Sequence, residues 1–122
     1  MKIERFEDIE GWKFARELTR MVYDATKGEK FSRDFGLKDQ IQRAAGSAMH
    51  NIAEGFDGGS DAEFMRFLRY AQRSCTEVKS QLYAALDQNY ISDEQFQLIY
   101  EQATKTHGKV GGFIRYLASR SA

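Results

Sequence analysis

The stretch Arg43–Gly55, RAAGSAMHNIAEG, decides how this chain is read. With the residues just before it, it forms one helix with two faces of unlike character. Leu37, Ile41, Ala44, Ala45, Ala48 and Ile52 recur at spacings of three and four, the stripe a helix turns toward a core. On the opposite side Arg43, Ser47, His50, Asn51 and Glu54 keep the same spacing. An ordinary solvated face alternates Lys and Glu. This one mixes single hydrogen-bonding groups of different chemistry, which suits a defined partner better than bulk water.

Working outward, the same periodicity recurs three more times, and no strand-like alternation competes with it. A first helix is predicted over about 7–27, with Phe14, Ala15, Leu18, Met21, Val22 and Ala25 as its buried stripe and Gly28 as a left-handed stop. In the loop that follows, Phe31 and Phe35 are expected to dock back on the core. The second helix, about 37–56, ends at the turn-rich Asp57-Gly58-Gly59. Ser60 with Glu63 reads as a capping box opening the third helix, about 61–89, and Ser92 with Gln95 as another opening the fourth, about 93–118. The third stripe is Phe64, Phe67, Leu68, Ala71, Cys75, Val78, Leu82, Ala85 and Leu86. The fourth is Phe96, Ile99, Ala103, Val110, Phe113, Ile114 and Leu117. Short connections between long helices predict an all-α, antiparallel up-down-up-down four-helix bundle forming a single domain over 1–122.

Bulk properties agree and narrow the function. A chain of 122 residues with 42% hydrophobic and 30% charged residues makes one globular domain. The absence of proline removes the strongest interruption to helices. Eighteen basic and eighteen acidic residues cancel, so any pull on nucleic acid must come from local clustering. The single cysteine, Cys75, has no internal partner, the N-terminal MKIERFEDIEGW has acids where a signal peptide needs an apolar run, and no stretch approaches a membrane span. A cytoplasmic protein without membrane contact is the expectation.

No catalytic constellation emerges. A di-iron bundle needs Glu-x-x-His pairs on two helices, whereas neither His50 nor His107 lies three residues after a glutamate. His50 and Glu54 sit four apart with no second pair to complete a metal shell. Cys75 falls in a buried stripe and reads as a small hydrophobe, and His107 as a packing residue. The chain is therefore read as a non-enzyme without metal or cofactor.

The basic residues are more informative. Lys13, Arg16, Arg20 and Lys27 share one line on the first helix, Arg66, Arg69 and Arg73 one on the third, with Lys105 and Lys109 a shorter pair on the fourth. Such rows track a phosphate backbone or simply solvate a helix. Glu17, Asp24 and Glu77 stand four residues after Lys13, Arg20 and Arg73, partly neutralising them, while Arg66 and Arg69 lack such a partner. On the fourth helix Leu98 and Tyr116 fall on the outer side, with Thr104, Gly108, Gly111 and Gly112 also off the core stripe. Those glycines fit either a subunit interface or a helix that frays or breaks near Gly111.

The runs QIQRAAGSAMHNIAEG and EFMRFLRYAQRSCTEVKSQLYAAL resemble the bacterial four-helix-bundle proteins known as 23S rRNA intervening-sequence proteins, which are similar to the accessory variability determinant of diversity-generating retroelements. The resemblance spans nearly the whole chain and is densest at Asn51–Gly55, with Arg43, Ala44 and Ser47 upstream. It implies a bundle that assembles into a homopentamer, a basic surface that in some relatives binds RNA or DNA and a reverse transcriptase, and no enzymatic activity. The chain departs from the pattern at Ser32, where a proline is usual, and at Gly58, where an arginine is common. Two functions follow as expectations. One is a non-enzymatic, homo-oligomeric nucleic-acid-associated scaffold using Arg66, Arg69 and Arg73, or Lys13, Arg16 and Arg20. The other is an oligomeric protein-interaction module. In both, Arg43, Ser47, Asn51, Glu54, Gly55, Leu98, Gly108 and Tyr116 form interface or structural contacts.

Overall fold

A computed structural model describes residues 2–121, residue 121 by its backbone alone. Four helices follow in order: α1 (Glu10–Ala25), α2 (Phe35–Asp57), α3 (Asp61–Asp87) and α4 (Asp93–Ser121). Two single-turn 3-10 segments, Phe6–Asp8 and Phe31–Arg33, precede α1 and α2. Every neighbouring pair runs antiparallel, as the residues in register show. Thr19 of α1 reaches the Ala45 carbonyl of α2 at 3.0 Å, and nearer the α1 C-terminus Thr26 accepts from Gln42. Gln72 of α3 donates to the His107 carbonyl of α4, and Gln102 of α4 donates to the Phe14 carbonyl of α1. Helices α1 and α3 therefore stand diagonally across the bundle, as do α2 and α4.

The ends of the helices follow local chemistry. Asp34 caps α2 by accepting from the Leu37 amide at 3.1 Å, and its second oxygen accepts the Tyr90 hydroxyl at 2.9 Å. That bond raises the Tyr90 pKa, and the Tyr90 ring stacks on fully buried Phe31. Ser92 and Gln95 form both halves of the predicted capping box. Ser60 accepts from the Glu63 amide, but the Glu63 carboxylate lies against Gly58 and pairs with Arg66 at 3.8 Å. A side chain at Gly58 would push that carboxylate aside.

Several expectations change. The first helix is not continuous from residue 7: Ile9 is extended, with φ −78° and ψ 121°, and α1 starts after it. The extended residue lets Ile9 drop into the core while Phe6 meets Trp12 edge-on at 5.1 Å. Gly28 does not take a left-handed conformation; α1 ends through Thr26 in the right-handed region. The left-handed stop lies instead at Asn89, φ 61°, where the Asn89 amide bonds to Leu86 and the Tyr90 amide to Ala85, closing α3 in a Schellman motif. Phe31 docks as expected, whereas Phe35, the first residue of α2, is 72% exposed under the Lys38 ammonium. Helix α4 passes through Gly111 and Gly112 without a break.

The core is built on small residues. Ala15, Ala45, Ala48, Ala71, Ala85 and Ala103 are fully buried, and glycines mark the closest approaches. A Cβ on Gly55 would stand 2.8 Å from the Phe67 Cβ and 2.9 Å from Phe64 Cδ1; one on Gly11 would stand 3.1 Å from Val110 Cγ2. With backbones this close, large side chains at the edges of the stripes are squeezed outward. Phe14, Met21, Leu37, Phe67, Leu86, Phe96, Phe113 and Ile114, expected inside, are only half-buried along the seams.

These spacings set opposite signs for two glycine substitutions. Gly55→Ala must displace the base of Phe67 and is expected to destabilise the bundle by about 1–3 kcal/mol. Gly108→Ala, with nothing within 4 Å of its Cβ on an exposed helical turn, is expected to stabilise it by about 0.5–1 kcal/mol. Urea unfolding of both variants checks the pair.

Candidate functional site

The polar stripe of α2 divides in two. Its inner half is a hydrogen-bonded seam against α3: Asn51 Nδ2 donates to the Ser47 carbonyl and hydroxyl, each at 2.9 Å. Ser74 of α3 donates to the Ser47 hydroxyl at 3.0 Å and also lies 3.1 Å from the Tyr70 carbonyl. Gly55, one turn beyond Asn51, brings the two backbones together against Phe64 and Phe67. The outer half is exposed. Arg43 pairs with Asp39 at 3.0 Å, and His50 and Glu54 face solvent. The defined partner of Ser47 is thus the neighbouring helix, and that of Asn51 is Ser47.

Beside this seam lies the outer face of α3. Arg66, Arg69 and Arg73 are all exposed along it. Arg66, expected to be unpaired, meets Glu63 at 3.8 Å, because a partner three residues earlier serves as well as one four residues later. Arg69 forms no ion pair among the described residues. Neither does Arg73, which leaves Glu77 aside and lies over the Tyr70 ring at 5.9 Å from its centroid. Arg66 lies over the Phe67 ring at 5.3 Å, and the two rings meet edge-on at 5.6 Å. Phe67 and Tyr70 thus join the face, which the sequence reading of α3 as a core stripe did not foresee. Their signal is the run Arg66-Phe67 and Tyr70-Arg73, each cation adjacent to or three residues from a ring.

The α1 row is on the opposite side of the bundle, and two of its four cations, Arg20 and Lys27, are neutralised. Arg20 is held by both Glu17 and Asp24, and Lys27 by Asp24 at 3.4 Å. The Arg20 guanidinium also lowers the Glu17 pKa. Lys13 does not pair with Glu17, which Arg20 already occupies, and Arg16 lies over the Trp12 ring at 5.9 Å. On α4 Lys109 meets Glu10 at 3.8 Å. Leu98 and Tyr116 are 52% and 53% exposed on the outer side of that helix, and Gly108 opens to solvent with them. Gly111, expected on the outside, is buried: its Cβ position lies 3.0 Å from Gln72 Nε2, so it serves the α3–α4 contact.

Cys75 is fully buried, and burial pushes its thiol up to about 12. His107 is half-buried between α3 and α4 and contributes its carbonyl to Gln72. Among the described residues no three His, Cys, Asp or Glu side chains are grouped to hold a metal ion. No described helix is long and apolar enough to cross a membrane.

Fold and surface together define an up-down four-helix-bundle protein whose distinctive chemistry is a polar seam and an arginine-aromatic face on adjoining helices. The chain belongs to the 23S rRNA-intervening sequence protein family, whose model matches residues 7–112. Its fold is similar to that of a protein of unknown function from the S23 ribosomal protein family of Bacteroides thetaiotaomicron. The two share a TM-score of 0.72 and 24% identity over 85% of this chain and 94% of the other. No curated protein matches the chain.

Two outcomes test this description of α2 and α3. Ser47→Ala and Asn51→Ala are each expected to cost about 1 kcal/mol in urea unfolding and to be non-additive in the double variant, while Glu54→Gln stays within about 0.5 kcal/mol of the parent. Cys75 is expected to resist iodoacetamide in the native state and react fully in urea. Because its folded pKa lies above the unfolded value, the thiol's contribution is intact below pH 9.0 and is lost as pH rises toward about 12.

Proposed function

We propose that this protein is a non-enzymatic, homo-oligomeric scaffold associated with nucleic acid, assembled as a pentamer and using the outer face of α3 for phosphate contact. The observation that carries the proposal is the pair Arg69 and Arg73, exposed and without carboxylate partners among the described residues, on a protein of zero net charge. A guanidinium without a carboxylate partner is free to exchange counterions with a phosphate backbone, whereas one already paired gains little. The family's name refers to an intervening sequence of 23S rRNA, which makes RNA the first partner to test. RNA or DNA held on this face brings a nucleic-acid enzyme such as a reverse transcriptase within reach of the scaffold. Exposed Leu98 and Tyr116 on α4 supply apolar surface for contact between subunits, leaving α3 outward.

A second reading, a protein-interaction module without nucleic-acid binding, draws on the α1 row. There Glu17 and Asp24 already hold Arg20 and Lys27, so half of that basic line offers little to a polyanion.

Sedimentation velocity with a gel shift separates the two. The scaffold reading expects a particle of about five times the 14.0 kDa chain, reduced in size by Leu98→Glu with Tyr116→Glu. It expects RNA binding whose salt slope falls by about two in the Arg69→Gln, Arg73→Gln variant. A monomer, or an oligomer that shifts neither RNA nor DNA at low salt, contradicts it.

A further inference from the structure

We infer that the α3 face selects single-stranded over duplex nucleic acid, with unpaired bases stacking on the ring-guanidinium ledges of Phe67 with Arg66 and Tyr70 with Arg73. The inference rests on the reading of the arginine row as a phosphate contact and adds what that row alone does not specify. Along the helix axis Arg69 and Arg73 are separated by about 6 Å, and Arg66 and Arg73 by about 10 Å, room for one strand over a few nucleotides. A duplex presents two backbones across a groove, but the second long basic line of the protomer is on α1, diagonally opposite and facing away. One protomer therefore offers one row to one strand.

The aromatic groups give the face something to do with a base. Phe67 and Tyr70 are half-buried, Phe67 is held against α2 at Gly55, and the two rings meet at 5.6 Å with planes at 80°. Each carries a guanidinium over it, at 5.3 Å from the Phe67 centroid and 5.9 Å from that of Tyr70. A base extends such a stack on the outer face of the guanidinium, or replaces it on the ring while the arginine moves to phosphate. Bases inside a duplex have both faces already covered, so only a single strand gains this contact. Stacking and phosphate contact do not read the 2′-hydroxyl, so RNA and DNA strands are held alike.

Fluorescence anisotropy on the full chain tests this with a labelled uridine-rich RNA strand, the thymidine-rich DNA strand of the same length, and a blunt duplex of that length. Both single strands are expected to bind at least about tenfold tighter than the duplex and within about threefold of each other. Tyr70→Ala is expected to weaken strand binding about fivefold or more with an unchanged salt slope, whereas Arg69→Gln lowers the slope by about one. Tyr70→Phe keeps the ring and is expected to bind as the parent does, which separates loss of stacking from loss of fold. Duplex binding as tight as strand binding, RNA binding without DNA binding, or full strand affinity in Tyr70→Ala overturns the inference while leaving the scaffold reading in place. Binding of none of the three probes overturns both.

Discussion

Everything distinctive about this bundle depends on how closely α2 approaches α3 at Gly55. No side chain fits there: the position a Cβ would take lies 2.8 Å from the Phe67 Cβ, part of the rigid base of that residue. The approach brings Ser47 and Ser74 within 3.0 Å, so the Ser74 hydroxyl donates to that of Ser47 across the seam while the Asn51 amide donates to Ser47 from within α2. It also fixes Phe67 at the edge of the bundle, where its ring supports Arg66 and meets Tyr70. Packing, polar satisfaction and surface chemistry on this side are one arrangement. A bulkier residue at position 55 would disturb all three.

The same logic of small residues holds α4 in place. Gly11 admits Val110 and Gly111 admits Gln72, so α4 lies close to both α1 and α3. Aromatic rings that do not fit between such close backbones line the seams instead. Phe64 meets Phe113 at 5.3 Å, and Tyr83 meets Phe96 at 4.9 Å. At the far end of α4 Arg120 grips Asp61 through two bonds of 2.9 Å while lying over Tyr116, joining the end of the last helix to the start of α3. Carboxylates hold Arg20 and Lys27 on α1 and Arg66 on α3, while Lys13 and Arg16 on α1 and Arg69 and Arg73 on α3 have none among the described residues.

The helices and most of their caps were legible in the sequence because they depend on local rules: periodicity, Ser92 with Gln95, and glycine-rich turns. Residue type and helical position predict a left-handed stop at Gly28, a docked Phe35 and an outward Gly111, but they carry no information on the tertiary neighbours a residue finds, such as Gln72 of α3 at Gly111. Nothing local distinguishes Phe31, which finds Tyr90, from Phe35, which finds only Lys38. Spacing marks the polar stripe of α2 as specific but not its direction: Ser47 bonds to Ser74 of α3 and Asn51 to Ser47, while Arg43 and Glu54 stay in solvent. By spacing, Phe67 falls on the core stripe and Tyr70 off it. Only the crowding at Gly55 shows why Phe67 lies at the rim beside the arginines.

The proposal places nucleic acid on the arginine-aromatic face of α3 and not on the basic line of α1. Photocrosslinking addresses it most directly: a single strand carrying 4-thiouridine is irradiated with the intact protein and the modified peptides are mapped by mass spectrometry. The account predicts adducts between residues 66 and 73, centred on Phe67 and Tyr70. Adducts confined to Trp12 and the surrounding α1 surface, or spread along Leu98 and Tyr116 of α4, would contradict it.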